Sequence, residues 1–474
     1  MPTLALPELL VLATALVVLV ADLFVGQVGR RQLLPVALVG VCAALGALLA
    51  VVPDSGELLG GRFAVDPLGW WFKLALLGAA AGVLALAQPA WQGDGRAGPT
   101  LANRGEFLAV LLFNLAGMLV VPSARDAVTF YLALETATMP LFLLVAWRRN
   151  AAGAEAALKY LVVGALASAM LLYGLAWLYG VTGTLDLTAM AGRLPATPAA
   201  YLGLGLVVGG LGFKLTLAPL HFWAPQVYAG APLPVAAWLG TASKGAAVAA
   251  VVLVLYRVAG PHAQGWTLAV ALLAALTMTI GNLGAVVQTN VLRLLAFSAV
   301  SQAGYLLVGL CGATRDGAAA VTYYLLVYVV TNLGAFAAAA VVHHHTGSQD
   351  LAAFRGLSRR HPLLALAMML ALFGLAGIPP LGGFTGKFFL FAVAAQADLH
   401  GLVAVAAVNS TVSLYYYLRI VRQMYIEPDD SAAPATPTGL LPGLALVTAT
   451  AGGIALGVVP WFYETVRAAA AGWP

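Results

Sequence analysis

The stretch GFKLTLAPLHFWAPQVYAGAPLP, residues 212–234, is apolar throughout yet contains Pro219, Pro225, Pro232 and Pro234. Each proline removes a backbone donor and clashes one turn back, so no continuous helix crosses it. A second stretch, FGLAGIPPLGGFTGKFFLF, residues 373–391, repeats the pattern, with Pro379 and Pro380 set among Gly374, Gly377, Gly382, Gly383 and Gly386. Broken backbone at membrane depth is tolerated where it lines a cavity or is buried in protein. A pair of such breaks in the two halves of a chain points to a transport pathway. Each break carries a lysine, Lys214 or Lys387.

The surrounding sequence supplies the membrane. Hydrophobic residues make up 62% of the 474 residues and charged ones 9%, against roughly a quarter charged in soluble domains. The chain reads as an all-α polytopic membrane protein, one bundle of helices, since each span needs about 20 apolar residues. Fourteen apolar segments fall near 4–24, 32–52, 66–88, 105–122, 127–147, 156–180, 199–223, 234–257, 266–288, 292–312, 318–342, 363–395, 400–425 and 439–460. An even number places both termini on one side. Twelve arginines lie in or beside loops on the opposite side: Arg30, Arg31, Arg96, Arg104, Arg148, Arg149, Arg293, Arg355, Arg359, Arg360, Arg419 and Arg422. The terminal side holds six, Arg62, Arg125, Arg193, Arg257, Arg315 and Arg467, together with Asp54, Glu57, Asp66, Asp186 and Asp398. The positive-inside rule therefore puts both termini outside the cytoplasm. The first span has no basic residue ahead of it and reads as a retained helix, not a signal peptide.

The breaks lie five spans apart, in the seventh and twelfth. This predicts two copies of a five-helix unit, over 105–257 and 266–426, which the odd number of spans inverts across the membrane. A three-helix segment, 1–104, precedes them and a last helix, 427–474, follows. One mismatch stands out: Lys214 precedes its first proline by five residues, whereas Lys387 follows its last by seven.

Several function classes are excluded. The net charge of +5 comes from scattered arginines with no basic patch for phosphate to follow, so nucleic acid is not a partner. Cys42 and Cys311 are far apart and form no Cys-x-x-Cys, leaving no basis for an iron–sulfur cluster or a disulfide framework. Redox chemistry and a resident cofactor are not expected in this chain.

The chemistry sits in a few ionisable residues. All five lysines, at 73, 159, 214, 244 and 387, lie inside apolar stretches while the loops use arginine. An ionisable group at membrane depth costs several kcal/mol and persists mainly where it carries ions or protons. Lys214, Lys244, Lys387 and the lone acid Glu135, in TFYLALETATMPLFLLVAW (129–147), are the expected proton relay. A Glu–Lys pair about 4 Å apart interacts by about 4 kcal/mol at an effective dielectric near 20. Moving a proton against about 150 mV costs roughly 3.5 kcal/mol, so making and breaking one pair is of the right size.

Other residues are ambiguous. Lys159 reads equally as a relay member and as an i, i+4 partner of Glu155, and His221 as a proton carrier or a partner for a freed carbonyl. Lys73, beside Trp70, Trp71 and Phe72, reads as snorkelling toward the interface. His343 to His345 read as a solvated loop, with no metal expected. Thr277, Thr279, Asn282, Ser298, Ser301, Gln302, Tyr328, Thr331, Asn332, Asn409, Ser410 and Ser413 supply uncharged polar groups between the lysines, each suited to an interhelical hydrogen bond.

Five stretches carry a family resemblance: LETATMPLFLLVAWRR (134–149), EAALKYLVVGALASAMLLYG (155–174), GFKLTLAPLHFWAPQVYAGAPLPVAAWLGTASK (212–244), MTIGNLGAVVQTNVLRLLAFSAVSQAGYLLVGL (278–310) and GIPPLGGFTGKFFLF (377–391). With the opening PELLVLATALVVLVADLF (7–24), they resemble the antiporter-like subunits of the bacterial proton-pumping NADH:quinone oxidoreductase, respiratory complex I. The resemblance implies fourteen helices, inverted repeats and a half-channel in each. It implies that Glu135 is the fifth-helix glutamate, Lys214 the seventh-helix lysine, Lys244 the eighth-helix relay and Lys387 the twelfth-helix lysine facing the exit. It further implies a bacterial plasma membrane location, other membrane subunits as partners, and FMN, iron–sulfur clusters, NADH and quinone held elsewhere in the complex. A lysine rather than a glutamate at 387, and an end at Pro474 without a long lateral helix, point to one branch of the family. Gln226 and Ala229 depart from it, standing in a cytoplasmic loop where acids are frequent. A subunit of a multi-subunit cation/proton antiporter, or of a related membrane-bound oxidoreductase, is the alternative.

Overall fold

The computed structural model describes residues 2–26, 32–50, 56–91, 103–428 and 438–473. Arg30, Arg31, Arg96 and Asp54, which entered the charge comparison, lie outside them. Among the described residues, thirteen helices are long and apolar enough to cross a bilayer. The remaining expected span is the twelfth, which its break divides into Pro362–Ala376 and Gly382–Gln396, of 15 residues each. The others, in order, are Leu6–Phe24, Leu33–Ala50, Pro67–Ala87, Arg104–Val120, Ala127–Thr136 continued by Met139–Val145, Ala151–Thr182, Pro198–Leu215 continued by Ala224–Gly230, and Leu233–Val258. After these come Ala263–Val286, Val291–Leu310, Arg315–Thr346, His400–Tyr425 and Leu440–Val458. The tenth, eleventh and eighth spans are almost wholly enclosed and form the centre of the bundle.

The repeat is written into the helix ends. Asp126 caps the fifth span through Val128 N and Thr129 N, and Asn290 caps the tenth through Arg293 N, each side-chain oxygen satisfying donors the helix leaves free. Asp126 also forms an antiparallel bridge with Asp186, and Asn290 an equivalent bridge with Asp350. The sixth and eleventh spans are both 32 residues long and both end on a glycine in the left-handed region, Gly183 (φ 68°) and Gly347 (φ 72°). Every one of these pairs is 164 residues apart in sequence, and the same interval joins Pro198 to Pro362 at the starts of the broken spans.

The interval fails at the breaks, which explains the mismatch between the lysines. The first half-helix is 18 residues long in the seventh span and 15 in the twelfth. Lys214 falls in the last turn of its first half, whereas Lys387 falls in the second turn of its second half. The copies share an architecture and differ in which side of the break bears the charge.

On the side carrying both termini, Asp66 ties three spans together. It caps the third span at Gly69 N and accepts from Arg125 (2.5 Å) and from Arg257 (2.8 Å) at the end of the eighth. Burial, and then the neighbouring Arg257, push the Arg125 guanidinium down to about 10. A surface helix, Trp461–Ala469, lies across the second repeat. Its Tyr463 stacks on Phe389 at 3.5 Å and its Arg467 pairs with Asp316 at 2.7 Å. Beyond it, the Trp473 ring lies 4.3 Å from the Arg257 guanidinium.

Three expectations are corrected. His343 to His345 form the last turn of the eleventh helix and not a loop. Gln226 and Ala229 likewise stand on a helix, the second half of the seventh span. Lys73 does not snorkel: it is buried, lies 2.6 Å from the Glu8 carboxylate of the first span and sits over the Phe63 ring at 4.9 Å. The carboxylate on the first span removes the reason to reach for the interface.

Candidate functional site

The fifth span brings Glu135 to the end of its first helical piece, where the helix steps at Thr138 before Pro140. The seventh span ends its first half at Leu215, because Thr216 turns into the left-handed region (φ 63°). These two ends meet. Lys214 Nζ lies 3.5 Å from Glu135 Oε1 and donates to Thr138 Oγ1 at 2.5 Å. Ser168 of the sixth span donates to the same carboxylate oxygen at 2.7 Å. Both charged groups are buried, so the pair interacts through a medium far less polarisable than water.

Lys244 enters from the eighth span directly after a widened π turn, Leu239–Ser243, a distortion frequent at functional sites. Its ammonium donates to Leu215 O (3.1 Å), Thr216 Oγ1 (2.6 Å) and Ala299 O (2.5 Å). Leu215 is the last helical residue before the seventh-span break. The lysine therefore sits on the negative end of that half-helix dipole, where a cation is favoured. Ala299 lies 164 residues from Glu135, so Lys244 reaches in the second repeat the position that bears the carboxylate in the first.

Lys387 does in the second repeat what Lys244 does in the first. It donates to Ala376 O, at the end of Pro362–Ala376, and to Ser410 Oγ, both at 3.0 Å, and lies 4.4 Å from the Tyr305 ring centre. The residue is buried, the thirteenth span packing Ser410 over the break. Between the two lysines runs a set of polar groups. Ser298 meets the Tyr417 hydroxyl at 2.5 Å, and Gln302 joins Tyr417 (3.3 Å), Tyr324 and Leu375 O (2.9 Å). Leu375 and Ala376 are consecutive, so Gln302 and Lys387 occupy adjacent carbonyls of one helix end.

The remaining residues stand apart. Lys159 pairs with Glu155 at 2.5 Å on the exposed face of the sixth span. His221 is buried within the seventh-span break against the Phe222 and Phe297 rings, and among the described residues no hydrogen bond joins it to either neighbouring lysine. Asn282, Asn409 and Tyr416 bond one another between the ninth and thirteenth spans. Thr138, Ser168 and Thr216 were missed by sequence reasoning. Only Thr138 carried a signal, one turn from Glu135 and two residues before Pro140.

A family model described as NADH:quinone oxidoreductase/Mrp antiporter, TM, matches residues 124–413, from the cap of the fifth span into the thirteenth. Fold and site together define an antiporter-like membrane subunit. A curated relative from Desulfovibrio desulfuricans, named NADH-quinone oxidoreductase subunit N, is 40% identical over 97% of this chain and 94% of its own length. One of the same name from Desulforamulus reducens is 38% identical over 96% and 94%. The chain belongs to the NADH-quinone oxidoreductase subunit N family. A chain of respiratory complex I from Thermus thermophilus with bound aureothin superposes with a TM-score of 0.81 at 37% identity, over 95% of this chain and 97% of that one. A chain of the Mrp complex from a Dietzia species reaches 0.87 at 24% identity over 99% and 97%, a likeness of fold.

Proposed function

We propose that the chain translocates protons as a cofactor-free membrane subunit of a bacterial plasma-membrane NADH:quinone oxidoreductase. In this reading NADH, FMN, iron–sulfur clusters and quinone belong to other subunits. Glu135 and Lys214 form the loading pair, Lys244 the central relay and Lys387 the exit group, with both termini on the non-cytoplasmic side.

The observation that carries the reading is the loose pair at 3.5 Å, with a hydroxyl nearer the ammonium than the carboxylate is. Separating the two charges weakens Coulomb attraction and frees the Lys214 proton. Two residues along the chain, Thr216 Oγ1 already accepts from Lys244; once Lys244 has passed its own proton onward, its neutral amine is the acceptor, across one helix end. A charge on Lys244 is opposed by nothing more than carbonyl and hydroxyl dipoles. The polar line through Ser298, Tyr417 and Gln302 leads from there toward the second break. Reprotonation of Lys214 from the input side, with closure of the Glu135–Lys214 pair, resets the site.

The test is Lys244→Met in membranes containing the assembled complex, with NADH oxidation and proton uptake followed together. NADH-driven proton uptake is expected to fall at least tenfold. Full uptake by the variant complex would overturn the relay.

A further inference from the structure

A groove of about 270 Å³ opens between the seventh and ninth spans, walled by Tyr201, Leu204, Gly205 and Val208 on one side and Gly265, Trp266, Ala269 and Leu273 on the other. Both spans start on the side of the membrane that carries the termini, and Tyr201 and Trp266 lie in their first turns. The groove thus begins at the interface, where Tyr and Trp rings are favoured, and runs inward. Its outer edge is open: Gly205, Gly265 and Ala269 are exposed. Gly265 lets the Tyr201 ring lie against the ninth span, since a Cβ there would stand 2.5 Å from the Tyr201 hydroxyl.

The dimensions decide what fits. Seven residue steps from Tyr201 to Val208 and eight from Gly265 to Leu273 give a length of roughly 11 Å at 1.5 Å per step. A volume of about 270 Å³ over that length leaves a cross-section of roughly 25 Å². An α-helix with side chains, about 10–12 Å across, needs at least three times as much. A single alkyl chain of about eight to ten carbons fills it, at about 0.8 kcal/mol per buried methylene.

A cation stands on the short helix beside the groove. Arg193 ends the short helix Leu187–Arg193 and is exposed, with no ion pair among the described residues. It is tied to the groove through its neighbour Leu194, whose carbonyl accepts from His262 Nε2 at 2.8 Å, three residues from Gly265. We infer that this groove is a phospholipid site, holding one acyl chain between the seventh and ninth spans with the headgroup phosphate at Arg193. The chain would lie along the same half-helix that bears Lys214 at its far end.

The experiment uses phosphatidylglycerol carrying a diazirine midway along one acyl chain, photolysed in membranes containing the assembled complex, with adducts mapped by mass spectrometry. Adducts are expected on 201–208 and 265–273 at least fivefold above those on Leu166 and Val408, which are exposed at 58% and 64% on other spans. Gly205→Phe should reduce groove labelling to the level of those controls, since a Cβ at 205 meets nothing within 4 Å and the ring has the groove to occupy. Ala269→Phe fills the same space from the opposite wall and serves if the first variant fails to fold. Arg193→Gln should lower labelling severalfold for the phospholipid but not for a diazirine fatty alcohol, which lacks phosphate. Labelling equal to the controls overturns the site. So does an unlabelled groove in the assembled complex, which would mean that another subunit covers it, or equal labelling of the Arg193→Gln variant, which would remove the headgroup contact.

Discussion

Lys214 Nζ stands 3.5 Å from Glu135 Oε1, a full ångström farther than it stands from the neutral hydroxyl of Thr138. The two charges are within attraction but short of a tight hydrogen bond. Removing one partner leaves a buried charge uncompensated, at a typical cost of about 3–5 kcal/mol.

Glu135→Gln should therefore lower both assembly and proton uptake strongly, with Glu135→Asp milder because it keeps the charge. The double variant Glu135→Gln with Lys214→Met removes both charges and should assemble at least as well as either single variant, yet remain poor at pumping. Electron transfer and proton uptake in membranes, with the amount of assembled complex, check this. Additive losses of assembly and normal uptake in Glu135→Gln would show that the residues are neither paired nor functional.

Thr138→Val deletes the closer acceptor while keeping the side-chain shape. A hydrogen bond to a charged group contributes about 1.5–3 kcal/mol, so the ammonium should settle onto the carboxylate and release its proton less readily. Proton uptake roughly tenfold slower in Thr138→Val, with Thr138→Ser close to normal, is the expected result. Equal rates in both variants would remove Thr138 from the site.

Lys387→Ala should impair proton release while sparing assembly. The carbonyl it leaves, Ala376 O, still accepts from Ser410 Oγ at 3.1 Å, so no buried acceptor is stranded. Vesicles containing the variant should show reduced pumping at normal subunit content; unchanged pumping would count against the exit role.

The arginine asymmetry predicts the orientation. A reporter fused after Pro474 should be active when it requires the periplasm and silent when it requires the cytoplasm. The reverse pattern would invert the assignment of uptake and release sides along with the termini.

Much of the candidate site was legible in the sequence. Lys214, Lys244, Lys387 and Glu135 stood out because a charge at membrane depth is expensive wherever the chain puts it, and no tertiary information is needed to see that expense. Thr138, Ser168 and Thr216 were not legible, since a hydroxyl in an apolar span usually bonds its own helix, as Thr136 and Thr182 do with the carbonyls four residues back. Lys73 was misread for the converse reason. Nothing in its own stretch indicates that Glu8, 65 positions earlier, would meet it across two spans.

The sequence by itself determined the bundle, the number of spans, the two breaks and the residues whose charge is costly, because hydrophobic length and proline sterics act within a few turns of chain. Tertiary structure decided which charges meet. It closed Glu135 on Lys214, set Lys244 on the carbonyl end of the seventh-span break and Lys387 on that of the twelfth. Those choices rest on helix ends, where free carbonyls and the helix dipole attract any ammonium within reach, and reach is a property of how distant spans pack.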